Sequence, residues 1–425
     1  MINTRAKVVF VCSFVPRKCG IATFTSDLIN GVAVSAADAF RPAVVAMQSG
    51  PELRYDKPVR FRIRKELEHD YIHAADYVNF SSADVVCLQH EFGLFGGPAG
   101  AYINLFLERV NKPVITTLHT VLQSAPGDYL RSLRDVCRAS ECVVVMNKRG
   151  IKMLRDIYGV PAAKIKLIPH GIPDLPFGGG SRHKQKLGIG RRKVILTFGL
   201  LSRHKGIEVM LRAMPSIVKA DPSVLYIVLG ATHPEVLRSE GQRYKFELEK
   251  IVAQLKLSEN VVFHNRFVDN RELFEFLSAA DVYVTPYLNK EQLTSGTLAF
   301  AVGAGKAVVS TPYWAAEELL ADGRGKLVHF GDAEELAGTI LEIFNNKTVF
   351  FSMKTLAYGY ARSMIWQKVG QAYWKLFTAQ KTALVIPSAA QPDIYSCKTP
   401  SMSRFALPYR KLLQNADPLR IHRSA

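Results

Sequence analysis

The chain has 425 residues, 48% of them hydrophobic and 22% charged, which is typical of a globular protein and too long for one ordinary core. Its formal charge of +18 favours an anionic partner, such as a phosphorylated ligand, an acidic membrane surface or nucleic acid. The six scattered cysteines lack metal-ligand spacing and no apolar run reaches ~18–20 residues, which argues against a zinc module, a disulfide scaffold and a membrane span.

The first residues predict a buried strand rather than a signal peptide. The apolar run Lys7–Ser13 is short, and a Pro-Arg-Lys sequence follows it instead of a small-residue cleavage site. The run is typical of a strand buried on both faces of a parallel sheet. The next loop ends at Gly20 and a helical pattern covers Ile21–Val34, so a ligand could bind at the helix N-terminus. One glycine is a poor dinucleotide fingerprint.

Strand-like and helix-like segments then alternate through the first half of the chain. The predicted strands are Ala43–Met47, Asp84–Leu88, Val114–Leu118, Cys142–Met146 and Lys166–Pro169. The predicted helices are Lys65–Val78, Gly100–Val110, Asp128–Ala139 and Lys148–Tyr158. Regular alternation predicts a doubly wound α/β domain, in which ligands bind beyond the carboxyl ends of the strands.

Three polar groups follow predicted strands at that edge. They are Gln89-His90-Glu91, His119-Thr120 and His170-Gly171. A single histidine after a strand is usually a hydrogen-bonded structural residue, but three at one edge favour a polar ligand. A metal site is an alternative that the spacing of the histidines does not support.

The segment Pro173–Lys193 contains two prolines, three consecutive glycines and six basic residues, and it predicts a domain boundary. We interpret its basic run as a solvated linker, with contact to an acidic surface or attraction of phosphate as alternatives. The strand–helix pattern then restarts. Its predicted strands are Val194–Phe198, Val224–Leu229, Asn260–His264, Asp281–Thr285, Ala307–Thr311 and Lys326–His329, and its helices include Ile207–Val218, Glu235–Leu255 and Arg271–Ala280.

The stretch 286–312 is the strongest candidate for a ligand site. The sequence Ser295-Gly296-Thr297 predicts a helix start that offers free backbone N–H groups and the positive end of the helix dipole to an anion. Arg203 and Lys205 lie on the loop after the first strand of this half, and their charges could neutralise a diphosphate held by that helix. An ordinary serine N-cap and two exposed loop cations are the structural alternative.

The order FGLLSRHKG, IVLG and AADVYVTPY…E…SGTL…GAGKAVVST resembles the retaining glycosyltransferases of family four. The resemblance covers about Val9 to Phe377 and is strongest over Leu196–Gly331. It implies the GT-B fold, two Rossmann-like doubly wound domains facing each other across a cleft. It also implies that the second domain holds a nucleoside-diphosphate sugar.

The same resemblance implies roles for individual residues. Lys205 matches the lysine that contacts the diphosphate, whereas Arg203 is displaced from the arginine position at Leu200. Either Glu291 or Gln292 would contact the donor sugar, and Gly20 would line the acceptor side. The backbone amides that would contact the phosphates are those of Ser295, Gly296, Thr297 and Leu298. His119 is the histidine near the reacting sugar, and Gly199 and Gly230 lie at strand ends of the donor site.

One departure from the family pattern concerns the nucleoside. A second glutamate normally follows the first by eight residues and holds the ribose. Counting from Glu291 reaches Ala299 and counting from Gln292 reaches Phe300, neither of which is acidic. Glu318 is a candidate replacement, and the base stays undetermined between UDP- and GDP-linked donors.

We therefore expect a metal-independent retaining glycosyltransferase that moves a hexose from a nucleotide sugar to a sugar, polysaccharide or lipid-linked acceptor. A sugar-nucleotide epimerase or hydrolase, and a non-catalytic nucleotide-sugar-binding protein, are the alternatives. Basic residues without interleaved aromatics argue against nucleic acid. We expect a cytoplasmic location, with peripheral attachment to an anionic inner membrane face as a further option.

The expected domain boundaries follow from these patterns. They are an acceptor-side domain at 1–175, a linker at 176–192, a nucleotide-sugar domain at 193–363, a helix at 364–380 that returns to the first domain, and a basic, mobile tail at 381–425. The aromatic residues of 348–379 are interpreted as the packing of that return, with a membrane-surface helix as the alternative.

Overall fold

The computed structural model of the protein describes residues 5–50 and 52–385 and contains two parallel β-sheets. The strands of the first sheet are β1 Ala6–Cys12, β2 Phe40–Gln48, β3 Val59–Arg64, β4 Val85–His90, β5 Val114–Leu118, β6 Cys142–Val145 and β7 Ile165–Leu167. Their spatial order is β3-β2-β1-β4-β5-β6-β7, and every pair is parallel.

Helices cover both faces of the first sheet. They are α1 Gly20–Ala36, α2 Glu68–Phe80, α3 Ile103–Arg109, α4 Gly127–Ala139 and α5 Lys148–Asp156. Strand β1 shows why its sequence is uniformly apolar: Val8 and Phe10 pack in the core on one face, and Val9 and Val11 in the core on the other.

The connecting segment contains α6 Gly180–Lys186 and leads into the second sheet. Its strands are β8 Val194–Phe198, β9 Leu225–Leu229, β10 Val261–His264, β11 Val282–Thr285, β12 Ala307–Ser310 and β13 Lys326–Leu327. They are parallel in the order β10-β9-β8-β11-β12-β13. The strand order reverses between β8 and β11: the strands after β8 are added on one side of it up to β10, and from β11 onward on the other. Such a switch point places a crevice outside the carboxyl ends of β8 and β11.

The helices of the second half surround this sheet and continue to the end of the described chain. They are α7 Ile207–Ala220, α8 Pro234–Glu240, α9 Arg243–Gln254, α10 Asn270–Ala279, α11 Gly296–Gly303, α12 Trp314–Leu319, α13 Ala333–Asn345, α14 Lys347–Ala361 and α15 Trp366–Val385. The predicted α/β architecture of two doubly wound parallel sheets is confirmed.

Three local predictions are wrong. Strand β3 is absent from the predicted set, and the predicted long helix 235–255 is two helices, because the chain turns at Gly241 with φ +60°. The basic connecting segment is also more ordered than a solvated linker. Lys184 and Lys186 on α6 form ion pairs with Asp281 and Glu275 of the second half, so the segment contacts an acidic surface.

Helix α15 packs on the first sheet. Tyr373 and Phe377 belong to the same core as Phe10, and the Tyr373 hydroxyl lies 2.8 Å from Thr117 Oγ1. A Cβ atom built on Gly370 would lie 2.2 Å from the backbone of α1, so glycine permits this close helix contact. By contrast, Phe351 of α14 lies outside this core and is 56% exposed.

Two features bear on the remaining predictions. In the described part of the chain, no helix is both long and apolar enough to cross a bilayer. The predicted basic tail lies outside the described residues from residue 386 onward. The predicted domain boundaries stay a prediction.

Candidate functional site

The carboxyl ends of β8 and β9 meet through glycine backbones. Gly199 follows β8 with φ +129° and Gly230 follows β9 with φ +147°, conformations that side chains rarely adopt. A Cβ atom on Gly230 would lie 1.9 Å from the Gly199 carbonyl oxygen, and one on Gly199 would lie 3.1 Å from Thr297 Cγ2. The two glycines therefore let both strand ends approach the start of α11.

The start of α11 is a capped helix N-terminus, as the sequence predicts. Ser295 is the N-cap, and its hydroxyl accepts a hydrogen bond from Leu298 N at 3.3 Å. A buried hydroxyl layer supports it: Tyr287 OH lies 3.0 Å from Thr297 Oγ1, and Tyr313 OH donates to Ser295 Oγ at 3.4 Å. Leu298 N is taken by this cap, which differs from its predicted role, and the backbone N–H groups of Gly296 and Thr297 are the donors that a ligand could use.

Lys205 is connected to this terminus through Tyr287. Its Nζ atom sits 3.8 Å from the centre of the Tyr287 ring, a cation–π contact, and that ring carries the hydroxyl bound to Thr297. The next residue, Gly206, has φ +59°, and a Cβ there would lie 2.0 Å from Pro286 O. The loop after β8 is thus pressed against the loop after β11, which brings Lys205 to the start of α11.

Arg203 points elsewhere. Its guanidinium pairs with Glu240 and Glu247, both at 2.7 Å, and lies 5.1 Å from the centre of the Tyr244 ring. These carboxylates, Glu247 first, raise the pKa of Arg203 above its ordinary value. The side chain is fully engaged by α8 and α9, so the structure does not bring it together with Lys205.

The glutamate region combines one exposed acid with a packed core. Glu291 is exposed on the loop before α11, and Gln292 donates from Nε2 to Thr294 O at 3.1 Å. Ala299 and Phe300, the positions counted for a second glutamate, are buried. Phe300 packs between Phe274 and His170, so this position makes an aromatic contact with the first domain instead of offering a carboxylate.

The first domain contributes two histidines that share one aromatic neighbour. The Phe24 ring on α1 lies 4.9 Å from His119 and 5.1 Å from His170, centre to centre. His170 also reaches the second domain, because its Nε2 atom lies 2.8 Å from where a Cβ of Gly296 would stand. Gly20 opens α1 in the same region, with no atom within 4 Å of its Cβ position.

Both histidines are neutral at pH 7. Burial lowers the pKa of His119 to about 3 and that of His170 to about 4. The amide of Gln89 donates to Thr117 Oγ1 at 3.4 Å, so its oxygen faces His119 Nε2 at 2.9 Å and accepts a hydrogen bond from it. His119 Nδ1 is then left as an acceptor for a hydroxyl group.

Glu318 of the second domain contacts the first domain. Its Oε2 atom accepts a hydrogen bond from Lys148 N, at the start of α5, at 2.8 Å. The neighbouring Glu317 pairs with Arg149 at 3.1 Å, and the Arg149 guanidinium lies 5.0 Å from the centre of the Trp314 ring. The predicted nucleoside-binding carboxylate is therefore already bound to the first domain.

Sequence reasoning missed several residues at this junction. Leu293 and Trp314 of the second domain pack into a core formed by Leu118, Val145 and Met153 of the first. Tyr287, which orients Lys205, was also missed, and its position two residues after β11 is the sequence signal for it. A cavity of about 180 Å³ lies alongside, with His170, Thr294, Ser295 and Glu318 among its lining residues.

The alternative of a metal site finds no group to support it in residues 5–50 and 52–385. Across those residues, no three histidine, cysteine, aspartate or glutamate side chains are grouped so as to hold a metal ion.

We expect His90→Phe to reduce the loss of stability in acid. Both ring nitrogens of this fully buried histidine lack hydrogen-bond partners among residues 5–50 and 52–385, and burial lowers its pKa to about 4. The unfolded chain takes up a proton near pH 6.5 and the folded chain only near pH 4, so falling pH favours unfolding in between. Removing this group should recover about 2 kcal/mol of the loss between pH 7 and pH 5.

Urea unfolding of the two proteins at pH 7 and pH 5 measures this difference. His73→Phe, which replaces an exposed ring, controls for the substitution itself. An equal loss of stability in acid for His90→Phe and the wild-type protein would contradict the assignment.

Two family models match consecutive parts of the chain. The model "Glycosyltransferase Family 4" matches residues 7–174, and "Glycosyl transferases group 1" matches residues 181–360. The chain is 26% identical over 259 residues to D-inositol 3-phosphate glycosyltransferase of Acidothermus cellulolyticus, covering 55% of this chain and 54% of that protein. It is 29% identical over 147 residues to phosphatidyl-myo-inositol mannosyltransferase of Mycolicibacterium smegmatis, covering 34% and 33%. The chain thus spans about half the length of the first relative and a third of the second.

Solved structures share the fold. HepE of Anabaena, in complex with UDP and glucose, is 18% identical with a TM-score of 0.71, covering 88% of this chain and 100% of that one. Sucrose-phosphate synthase of Thermosynechococcus elongatus is 17% identical with a TM-score of 0.72, covering 89% and 100%. At these identities the likeness concerns the fold, and the predicted GT-B architecture is confirmed.

Proposed function

This chain belongs to glycosyltransferase family 4, and from that premise we propose that it moves a hexose from a nucleoside-diphosphate sugar to an acceptor hydroxyl with retention of configuration. The observation that carries the proposal is the contact between Lys205, the Tyr287 ring and Thr297 at the start of α11. One cation and one helix N-terminus thus contact the same tyrosine, an arrangement that suits a diphosphate.

The positive groups of this site supply the chemistry that the transfer requires. As the bond between the sugar and the diphosphate breaks, negative charge grows on the leaving phosphate oxygen. Lys205 and the free N–H groups of α11 stabilise that charge in place, so no metal ion enters the proposed step. The acceptor hydroxyl attacks the face from which the diphosphate leaves, and its proton passes to the departing phosphate oxygen.

The first domain orients the sugars in this proposal. Neutral His119 accepts a hydrogen bond at Nδ1 from a hydroxyl of the donor sugar, while Gly20 leaves room for the acceptor beside α1. Glu291 would accept from another sugar hydroxyl. Arg203 acts indirectly, by joining the loop of Lys205 to α8 and α9.

Nucleoside recognition follows a different route from the family pattern. Phe300 fills the position counted for the ribose glutamate, and Glu318 is occupied by Lys148. We propose that backbone groups near Gly199 and Gly230 contribute most of the contact to the nucleoside, and both UDP- and GDP-linked donors fit this picture. The division at about residues 175 and 193 into acceptor and donor domains belongs to the same proposal.

The relatives bear on the acceptor. Two of them are named for inositol 3-phosphate and for phosphatidylinositol, which are cyclitols with a phosphate or a lipid anchor. A sugar, polysaccharide or lipid-linked hydroxyl remains the proposed acceptor class, with a site of action in the cytoplasm or on its membrane face.

Nucleotide binding followed by product analysis tests the proposal. In a thermal-shift panel of UDP-, GDP- and ADP-sugars, the sugars of one nucleotide should raise the midpoint of thermal unfolding of the protein. Free nucleoside diphosphate should appear only when an acceptor is added. Free sugar released without an acceptor would favour a hydrolase or epimerase. Nucleotide-sugar binding with no product from any acceptor would favour a non-catalytic binding protein, for which the missing second glutamate is the argument.

We expect Glu291→Gln to lower transfer on the order of 10- to 100-fold while the affinity for the nucleoside diphosphate is unchanged. The substitution keeps the size of the side chain but weakens a charge-assisted hydrogen bond to the sugar. Lys290→Gln, on the same loop, is the matched control. Equal steady-state rates for Glu291→Gln and the wild-type enzyme would remove Glu291 from the site.

A further inference from the structure

The carboxylate of Glu91 lies at the carboxyl edge of the first sheet, directly after β4. Its Oε1 atom accepts a hydrogen bond from Phe92 N at 3.0 Å, and its Oε2 atom accepts one from Thr120 Oγ1 at 2.6 Å. Each carboxylate oxygen has a second lone pair, and the residue is partly exposed. Glu91 can therefore accept two more hydrogen bonds, at an edge where α/β domains bind their ligands.

The charge of Glu91 is not compensated by a cation. Within residues 5–50 and 52–385 no ion pair includes Glu91, and the two groups bonded to it are uncharged. Burial raises its pKa, so the charge costs stability at this position. Its oxygen caps the short turn Phe92–Leu94, but an uncharged asparagine or serine would cap such a turn equally well. The charge itself therefore indicates a ligand.

Paired hydrogen bonds join Glu91 to the histidine of the proposed reaction centre. Gln89 and Glu91 are two residues apart in an extended segment, so their side chains point to the same face. They bind consecutive residues after β5: Gln89 Oε1 accepts from His119 Nε2 at 2.9 Å, and Glu91 Oε2 accepts from Thr120. The backbone adds a third bond, from His119 N to His90 O at 3.0 Å. The ends of β4 and β5 thus hold Glu91, Thr120 and His119 side by side.

These three side chains offer acceptors to a ligand and no free donors. Thr120 donates its one hydroxyl proton to Glu91, so its oxygen can only accept a further hydrogen bond. Neutral His119 donates from Nε2 to Gln89, so its Nδ1 atom can only accept. Hydroxyl groups suit such a surface because they donate. A phosphate group does not, because its ionised oxygens only accept and its charge has the same sign as that of Glu91.

We propose that Glu91 is a specificity-determining residue that binds two neighbouring hydroxyls of the acceptor, an inference that rests on the proposed transferase function. One hydroxyl donates to Glu91 and the next donates to Thr120 Oγ1. The acceptor therefore presents an uncharged diol of a sugar or cyclitol beside the hydroxyl that reacts. A phosphate at that place would meet the carboxylate and would leave Thr120 without a donor. This acceptor differs from the one named for the relative from Acidothermus cellulolyticus, inositol 3-phosphate.

Transfer to paired acceptors tests the inference. The preferred nucleotide sugar is supplied with glucose, mannose or myo-inositol, and in parallel with the phosphate monoester of each. Glu91→Gln should raise KM for the best neutral acceptor about 10- to 100-fold, the value of a charged hydrogen bond, with kcat and nucleotide affinity nearly unchanged. The same variant should lower KM for the phosphate monoesters about 10-fold, because the like charge is removed. The amide of glutamine can still accept from Phe92 N and donate to Thr120, so the loop keeps its shape.

Two further variants separate this role from a structural one. Glu108→Gln, an exposed change on α3 of the same domain, is the matched control with the same loss of charge. Thr120→Val removes a hydroxyl without a change of charge, so it should raise KM for the neutral acceptor less and should not improve the phosphate monoesters. An acceptor KM in Glu91→Gln equal to that of the wild-type protein would overturn the inference, as would wild-type transfer to the phosphate monoesters alone. Failure of the inference leaves transfer intact, whereas bound nucleotide sugar with no transfer to any acceptor would refute the transferase proposal itself.

Discussion

Replacement of Lys205 by alanine is expected to lower the rate of transfer on the order of 10²- to 10³-fold, the cost of removing one preorganised charge from a developing oxyanion. Lys205 contacts the tyrosine that is bonded to the start of α11, whereas Arg203 is engaged by Glu240 and Glu247. The effect should fall on kcat and on kcat/KM, because the charge that Lys205 stabilises grows as the bond to the diphosphate breaks. Steady-state rates with the preferred donor and acceptor measure it.

Three companion variants separate charge from geometry. Lys205→Arg keeps the cation over the Tyr287 ring and should retain part of the rate. Tyr287→Phe keeps the ring but loses the hydrogen bond to Thr297 Oγ1, so it should reduce the rate less than Lys205→Ala. His204→Ala changes an exposed neighbour and should leave the rate unchanged. The backbone carbonyl of His204, which accepts a hydrogen bond from Leu288 N, stays in place. Full activity in Lys205→Ala would remove the proposed phosphate role.

The core strands could be predicted because burial on both sheet faces leaves a continuous apolar signal in the sequence. Strand β3 carries no such signal. Its sequence alternates apolar residues with Arg60, Arg62 and Arg64, as expected of a strand at the edge of a sheet. The helix break at Gly241 was equally hidden, since a single glycine inside a helical pattern does not show by itself that φ is positive.

The site was predictable only where its determinants are local. The Ser-Gly-Thr start of α11 depends on consecutive residues, and the structure shows that N-cap. The direction of Arg203 depends on acids 37 and 44 residues further along the chain, and the bond of Glu318 depends on Lys148, 170 residues before it. Such pairings follow from the packing of α8, α9 and α5, which a sequence read alone does not supply.

The approach of the two domains was hidden for the same reason. Leu293 and Trp314 read as ordinary apolar residues of the second domain, yet they complete a core of the first. Leu293 lies on the loop that leads into Ser295, so the first domain contacts the chain directly before the start of α11. The proposed donor site is thus bounded by both domains, although its proposed phosphate contacts come from one.

Replacement of Gly230 by alanine is expected to destabilise the fold by roughly 4 kcal/mol, from backbone strain of about 1–3 kcal/mol and overpacking of about 1–3 kcal/mol. The residue has φ +147°, and the added Cβ would lie 1.9 Å from the Gly199 carbonyl oxygen, a backbone atom that no side-chain rotation can move. Relief requires the strand end at Gly199 to shift. The Cβ position of Gly199 in turn lies 3.1 Å from the Thr297 methyl group at the start of α11.

The same substitution should therefore weaken nucleotide-sugar binding in whatever fraction stays folded, because the strain is transmitted to the proposed phosphate site. Chemical unfolding and donor titration of one preparation measure both effects. Gly338→Ala is the control: its Cβ position in α13 has no atom within 4 Å, so alanine there should add about 0.5–1 kcal/mol of stability. Wild-type stability and donor affinity in Gly230→Ala would show that Gly230 and Gly199 are not in contact. The proposed connection from the end of β9, through Gly199, to the diphosphate site would then be wrong.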